Sequence, residues 1–227
     1  MSAVTEYLRR AAAPRLVVGL SRKRGLQKWR AALQRALGTP TNIDLFFAFD
    51  DPYAAIAMPG LIKIAATHNA KLNLIPLITR GIEGDPAANQ RSVHAITDSR
   101  RLAQRNGRTL SRSAPLAAED CAFLAAWAVA AAQHPNVNNF ISEAIAQLWF
   151  GSTNQPLPQT YTAIYQQHIG TPPPTVTTAL RASLERNSSL LKKLGHWESP
   201  AARVAGEWYF AHERLVQIDA HLRALGA

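Results

Sequence analysis

Ile43-Asp44-Leu45-Phe46-Phe47-Ala48-Phe49, followed at once by Asp50-Asp51-Pro52-Tyr53, is the stretch on which the fold turns. The first seven residues are short, apolar and aromatic, which predicts a buried strand. Proline suits the first helical position because its missing N–H has no partner there in any case. An aspartate just before it can accept one of the unpaired N–H groups of the first turn. Asp51-Pro52 therefore predicts a helix that starts at Pro52 with Asp51 as its N-cap. Ile56, Leu61, Ile62 and Ala65 give that helix an apolar face, Pro59 is expected to kink it, and His68-Asn69-Ala70 ends it. Leu72, Leu74 and Leu77 mark a second strand. The unit is β-α-β, for which a parallel, right-handed crossover is expected.

Downstream the pattern turns helical. Residues 88–106 end at Gly107, residues 117–133 are Ala-rich with Phe123 and Trp127 one turn apart, and Ile141, Ile145 and Leu148 mark residues 137–150. Pro156, Pro158 and Pro172-Pro173-Pro174 punctuate two loops. Val176, Leu180, Leu184, Leu191 and Leu194 form a further helical stripe ending at Gly195. Residues 201–205 and 207–210 flank Gly206, a hairpin signal, and Leu215, Ile218, Leu222 and Leu225 make a closing helix. The order is β-α-β, then helices, then β-β-α.

Of the 227 residues, 47% are apolar and 18% charged, a composition that excludes a disordered chain. Cys121 is the single cysteine, which excludes a disulfide framework, a Cys-rich zinc site and an internal dithiol couple. None of the seven histidines forms a HExxH pair or close metal spacing, and no glycine-rich phosphate loop occurs. No long apolar run predicts a membrane-spanning helix. No secretory signal is read near the N-terminus, so a cytoplasmic location is the expectation. The net charge of +10 is uneven: residues 1–40 hold nine bases and one acid, the remainder sixteen bases and fourteen acids. Leu26, Trp29, Leu33 and Leu37 place an amphipathic helix in that basic segment. It is either a solvated docking helix or an attachment to an anionic surface.

The motifs, in their order, resemble the DsbA-like thioredoxin-fold superfamily. Asp44 to Tyr53 is similar to its first strand and active-site turn, followed by the Pro59 kink. Asp98, Arg101, Ala103 and Gly107 resemble the helix that opens the insertion in its 2-hydroxychromene-2-carboxylate isomerase and kappa-class glutathione transferase branch. Gly206 to Leu215 resembles that branch's final hairpin and helix start. The resemblance implies an α/β, thioredoxin-like fold (β-α-β … β-β-α) with a large all-helical insertion at about residues 86–195. The domain would span 42–227, after a basic helical extension at 1–41. It also implies a cis-proline at Pro200, beside the active site.

At the reacting position the sequence departs from the pattern. DsbA-type oxidoreductases have Cys-x-x-Cys there, and the isomerase and transferase branch has a serine that donates to a glutathione thiolate. This chain has Asp51 and Ala54. Disulfide exchange needs a thiolate, so the chain alone cannot catalyse it. An ionised carboxylate only accepts hydrogen bonds and would repel a thiolate, and a helix start favours the ionised form. Asp51, with Asp50 beside it, is therefore either a structural cap or a general base in an altered reaction.

The resemblance extends the candidate ligand site to Pro52, Tyr53, Ser199, Pro200, His212, Glu213 and Arg214. Glu213 would accept a ligand's amino group and Arg214 would take a carboxylate, or the two form an ordinary ion pair. In the approach to Pro200, Trp197 is expected to pack and His196 to be solvated. Cys121 is expected to be a small buried apolar residue. The resemblance implies glutathione or a small organic acid as ligand; no metal is expected from the histidine spacing, and the helical insertion is a candidate homodimer surface. The alternative is a non-catalytic binding or scaffold protein on the same fold.

Overall fold

A computed structural model describes residues 40–82, 84–151 and 156–226. The basic segment, with its expected amphipathic helix, lies outside these residues except for Pro40. The described elements are β1 (Asn42–Phe47), α1 (Pro52–Thr67), β2 (Lys71–Pro76), α2 (Ala88–Arg105), α3 (Ala118–Ala130) and α4 (Val137–Phe150). Then come α5 (Pro158–Ile169), α6 (Thr178–Lys193), β3 (Ala201–Val204), β4 (Glu207–Phe210) and α7 (Leu215–Leu225). The sheet order is β2-β1-β3-β4. β1 runs parallel to β2 and antiparallel to β3, and β3–β4 is an antiparallel hairpin. This is the expected β-α-β … β-β-α core, with five helices between β2 and β3.

β1 is central and buried on both faces. Ile43, Leu45, Phe47 and Phe49 join the large core with α1 and the helices beyond it. Phe46 and Ala48, alternating with them, face a smaller cluster with Leu77, Leu191 and Ala201. The apolar run predicts a strand through Phe49, but pairing with β2 stops at Phe47–Pro76. Beyond that point Phe49 turns its carbonyl to the Trp149 indole, which donates to it at 2.9 Å. The chain can then bend into the Asp51 cap.

α1 starts at Pro52 and packs against α2, α4 and α7. Pro59 lies inside it. The hairpin turns through Ala205 and Gly206, both at positive φ, as a two-residue turn matching strand twist requires.

The prolines around 156–158 mark more than a loop. Pro158 occupies the first turn of α5, Gly170 ends that helix in the left-handed conformation, and Tyr161 and Tyr165 bury one helical step apart. A proline that breaks one helix also starts another. Among the described residues no helix is long and apolar enough to cross a membrane.

Trp149 is fully enclosed. Trp149→Phe leaves the buried Phe49 carbonyl unpaired and shrinks the side chain. It is expected to cost about 2–3 kcal/mol in urea unfolding. A loss well under 1 kcal/mol would show that this bond does not hold the β1–α1 bend.

Candidate functional site

The parallel strands β1 and β2 deliver Asp50-Asp51 and Thr79-Arg80 to the same edge of the sheet, outside their carboxyl ends, where open α/β sheets bind ligands. The loop before β3 brings Ser199 and Pro200 to that edge, joined by a cis peptide bond.

Asp51 is 0% exposed. One carboxylate oxygen, Oδ1, accepts from the Tyr53 N–H at 3.0 Å, closing the N-cap. The other, Oδ2, accepts from the Ser199 hydroxyl at 2.7 Å. Ser199 Oγ in turn accepts from the Ala48 N–H at 3.0 Å. Arg80 Nε stands 3.8 Å from Asp51 Oδ1. Asp50 is held separately: Thr79 Oγ1 donates to it at 2.6 Å and the Arg80 N–H at 2.9 Å.

Burial is the largest influence on Asp51 and pushes its carboxyl up to about 7, against the opposing pull of Arg80 and the Ser199 bond. This corrects the expectation that the helix start would favour the ionised form. Complete desolvation outweighs the dipole and the cap. Burial also raises the Asp50 carboxyl.

In front of this pair lies a polar cleft of about 540 Å³. Tyr53, Arg80, Ser199 and His212 form its floor, and Arg91, His94, Glu198, Glu213 and Arg214 stand around it. The Tyr53 hydroxyl donates to Asp98 Oδ2 of α2 at 3.1 Å. The Tyr53 ring stacks on His212 at 4.0 Å between centroids and has the Arg80 guanidinium 5.5 Å away. Burial favours neutral His212. Arg80 Nη1 and His212 Nδ1 are buried without a hydrogen-bond partner among the described residues. Such buried orphans are uncommon and suit a ligand that completes them.

A second cavity, of about 590 Å³, lies on the other side of Arg80 and Ser199 and shares both residues.

Of the residues singled out in the sequence, Tyr53, Ser199, His212, Glu213 and Arg214 come together around the polar cleft. Asp50, Asp51, Pro52 and Pro200 stand behind it and do not line it. Glu213 and Arg214 approach each other at 3.9 Å. Asp51 has both oxygens engaged and reaches the cleft only by way of Ser199 and Arg80. The reading of His196 and Trp197 is reversed. His196 is 6% exposed, packed among Trp208 and Phe210, while Trp197 is 57% exposed. The imidazole is flat, and burial keeps it neutral. Trp197 stacks on that imidazole at 5.1 Å between centroids and is itself left largely in solvent.

Sequence reasoning passed over Arg80. Its signal was its isolation: it is the only basic residue between Lys71 and Arg91, and it lies just past a strand end. Arg91 and His94, one helical step apart at the start of α2, were also passed over. Cys121 is buried and its thiol is pushed up, chiefly by burial, so it is no nucleophile. No cluster of three or more metal-ligating side chains occurs among the described residues.

No family model and no curated protein matches the chain. A solved 2-hydroxychromene-2-carboxylate isomerase is similar at 14% identity and a TM-score of 0.68, over 82% of this chain and 96% of that one. A probable DsbA oxidoreductase from Streptomyces coelicolor is similar at 11% identity and a TM-score of 0.56, over 82% and 90%. These likenesses establish a DsbA-like thioredoxin fold, here without a Cys-x-x-Cys pair. A putative protein disulfide isomerase from Nitrosomonas europaea is also similar, at 12% identity and a TM-score of 0.51, over 79% and 97%. The expected cytoplasmic location is corrected, because it rested on the lack of a secretory signal alone and a fold shared with a disulfide-isomerase-like protein does not confine a chain to the cytoplasm.

The Asp51 carboxyl is raised in the folded protein, so its contribution favours folding at low pH. That contribution fades as pH rises from about 4 toward 7. Asp51→Asn keeps a capping oxygen and removes the charge. Relative to the variant, the parent is expected to lose up to roughly 4 kcal/mol between pH 4 and pH 8 in urea unfolding. Parallel stability curves for the two proteins would refute a buried, near-neutral Asp51.

Proposed function

We propose that this protein is a diverged relative of the DsbA-like isomerases and transferases, without a thiol at the reacting position, and that it binds a small organic acid of about the size of glutathione in the polar cleft. The observation that carries the reading is the meeting of Arg80, Arg91 and Arg214 around a floor whose hydroxyl, Ser199, is already bonded to Asp51. Guanidinium groups suit carboxylates through paired hydrogen bonds. Glu213 and Glu198 offer acceptors for an amino group.

The residues fit the two carboxylates and the amine of glutathione. They do not fit its activation. A thiolate needs a donor beside it, and the Ser199 hydrogen is directed at Asp51. Asp51 is a cap with both oxygens satisfied and no open path to a substrate. The reading is therefore a binding protein on an enzyme's fold, and no conjugation or disulfide step is assigned.

Titration calorimetry with glutathione, S-methylglutathione and salicylate tests this. Glutathione and S-methylglutathione are expected to bind with similar affinity, because the thiol has no dedicated partner. Arg91→Ala and Arg214→Ala should each weaken binding about three- to tenfold, the range for partly exposed charge-assisted bonds. Absence of heat with all three ligands at millimolar concentration would reject the cleft. Transferase or isomerase turnover that Asp51→Asn abolishes would reject the non-catalytic reading.

A further inference from the structure

The second cavity differs in character from the polar cleft. Leu77, Ile78, Ile82, Leu191 and Trp197 supply its walls. Ile78 is 40% exposed and Trp197 57% exposed, and Leu190, next to Leu191 on α6, is also exposed. Large side chains gathered on a concave surface mark a binding site more often than scattered ones do. The volume of about 590 Å³ lies within the range of small-molecule sites. Among the described residues, Arg80 and Lys192 are the charged ones lining it, so the groove is apolar along its walls and positive where charge occurs. Arg80 also has a buried Nη1 without a hydrogen-bond partner among the described residues.

We infer that this groove binds a medium-chain aliphatic monocarboxylate, with its chain along Ile78, Leu191 and Trp197 and its carboxylate at Arg80. The apolar walls require a hydrocarbon body. The cationic lining, with no acid among the described lining residues, selects an anion over a neutral or cationic amphiphile. A flexible chain suits a half-open trough bordered by branched aliphatic side chains. The site shares Arg80 and Ser199 with the polar cleft but not Arg91, Glu213 or Arg214. The inference thus rests on the same guanidinium as the proposed function, and the remaining lining residues separate the two.

The test is calorimetry of the full chain with hexanoate, octanoate, decanoate and decanol below their aggregation limits. Affinity should rise about threefold for each methylene buried, then level off when the groove is filled. Decanoate should bind at least tenfold more tightly than decanol, and Arg80→Gln should narrow that gap. Ile78→Asp and Trp197→Ala change exposed side chains, so circular dichroism should show both folded. Both should weaken decanoate at least fivefold and leave glutathione binding unchanged, whereas Arg91→Ala should do the reverse. A flat chain-length series, or decanoate binding indifferent to both groove variants, would overturn the inference. So would loss of phosphatidylglycerol vesicle binding in the groove variants without loss of decanoate binding, because the surface would then be a membrane contact.

Discussion

A carboxylate with no access to water holds this end of the molecule together. Asp51 starts α1, and its second oxygen takes the hydroxyl hydrogen of Ser199, 148 positions later in the chain. The same serine accepts from Ala48 at the end of β1. Three segments that thioredoxin-like folds bring to one edge are thereby bonded through two polar side chains. Burial then moves the acid close to neutrality, although a helix start and a nearby guanidinium both favour its ionised form.

The bridge divides the surface above it. Arg80 and Ser199 form a ridge with a polar cleft on one side and an apolar groove on the other. The cleft owes its character to α2 and the start of α7, which contribute Arg91, His94 and Arg214. The groove owes its character to the loop after β2 and the last turn of α6. The helices between β2 and β3 therefore do more than cover α1. α2 fixes the Tyr53 phenol through Asp98, and α4 fixes the end of β1 through Trp149.

The reversal of His196 and Trp197 follows from available space. Their neighbours Trp208 and Phe210 leave a slot between rings that a flat imidazole can enter, and the indole remains outside beside the groove. Hydrophobicity scales rank tryptophan as the better core residue. Packing geometry overrules that ranking here, at the cost of keeping an imidazole neutral. The location, read from the lack of a secretory signal, was corrected because a fold is not confined to one compartment.

Local chemistry in the chain determined much of the architecture. The apolar run before Asp51-Pro52, the stripes that follow and the Ala205-Gly206 turn specify β-α-β, helices and β-β-α, because strand burial, helix starts and tight turns each depend on a few adjacent residues. Tyr53, Ser199, His212, Glu213 and Arg214 were likewise legible, through their order along a familiar pattern. Arg80 was not, since an isolated arginine in a loop looks like any solvated cation until β2 carries it beside Asp51. Nor was the state of Asp51 legible: adjacent residues predict a charged cap, whereas its protonation depends on how completely distant segments exclude water. Only the tertiary structure decided these points, because desolvation and contact between remote side chains arise from the packed molecule and not from neighbours in sequence.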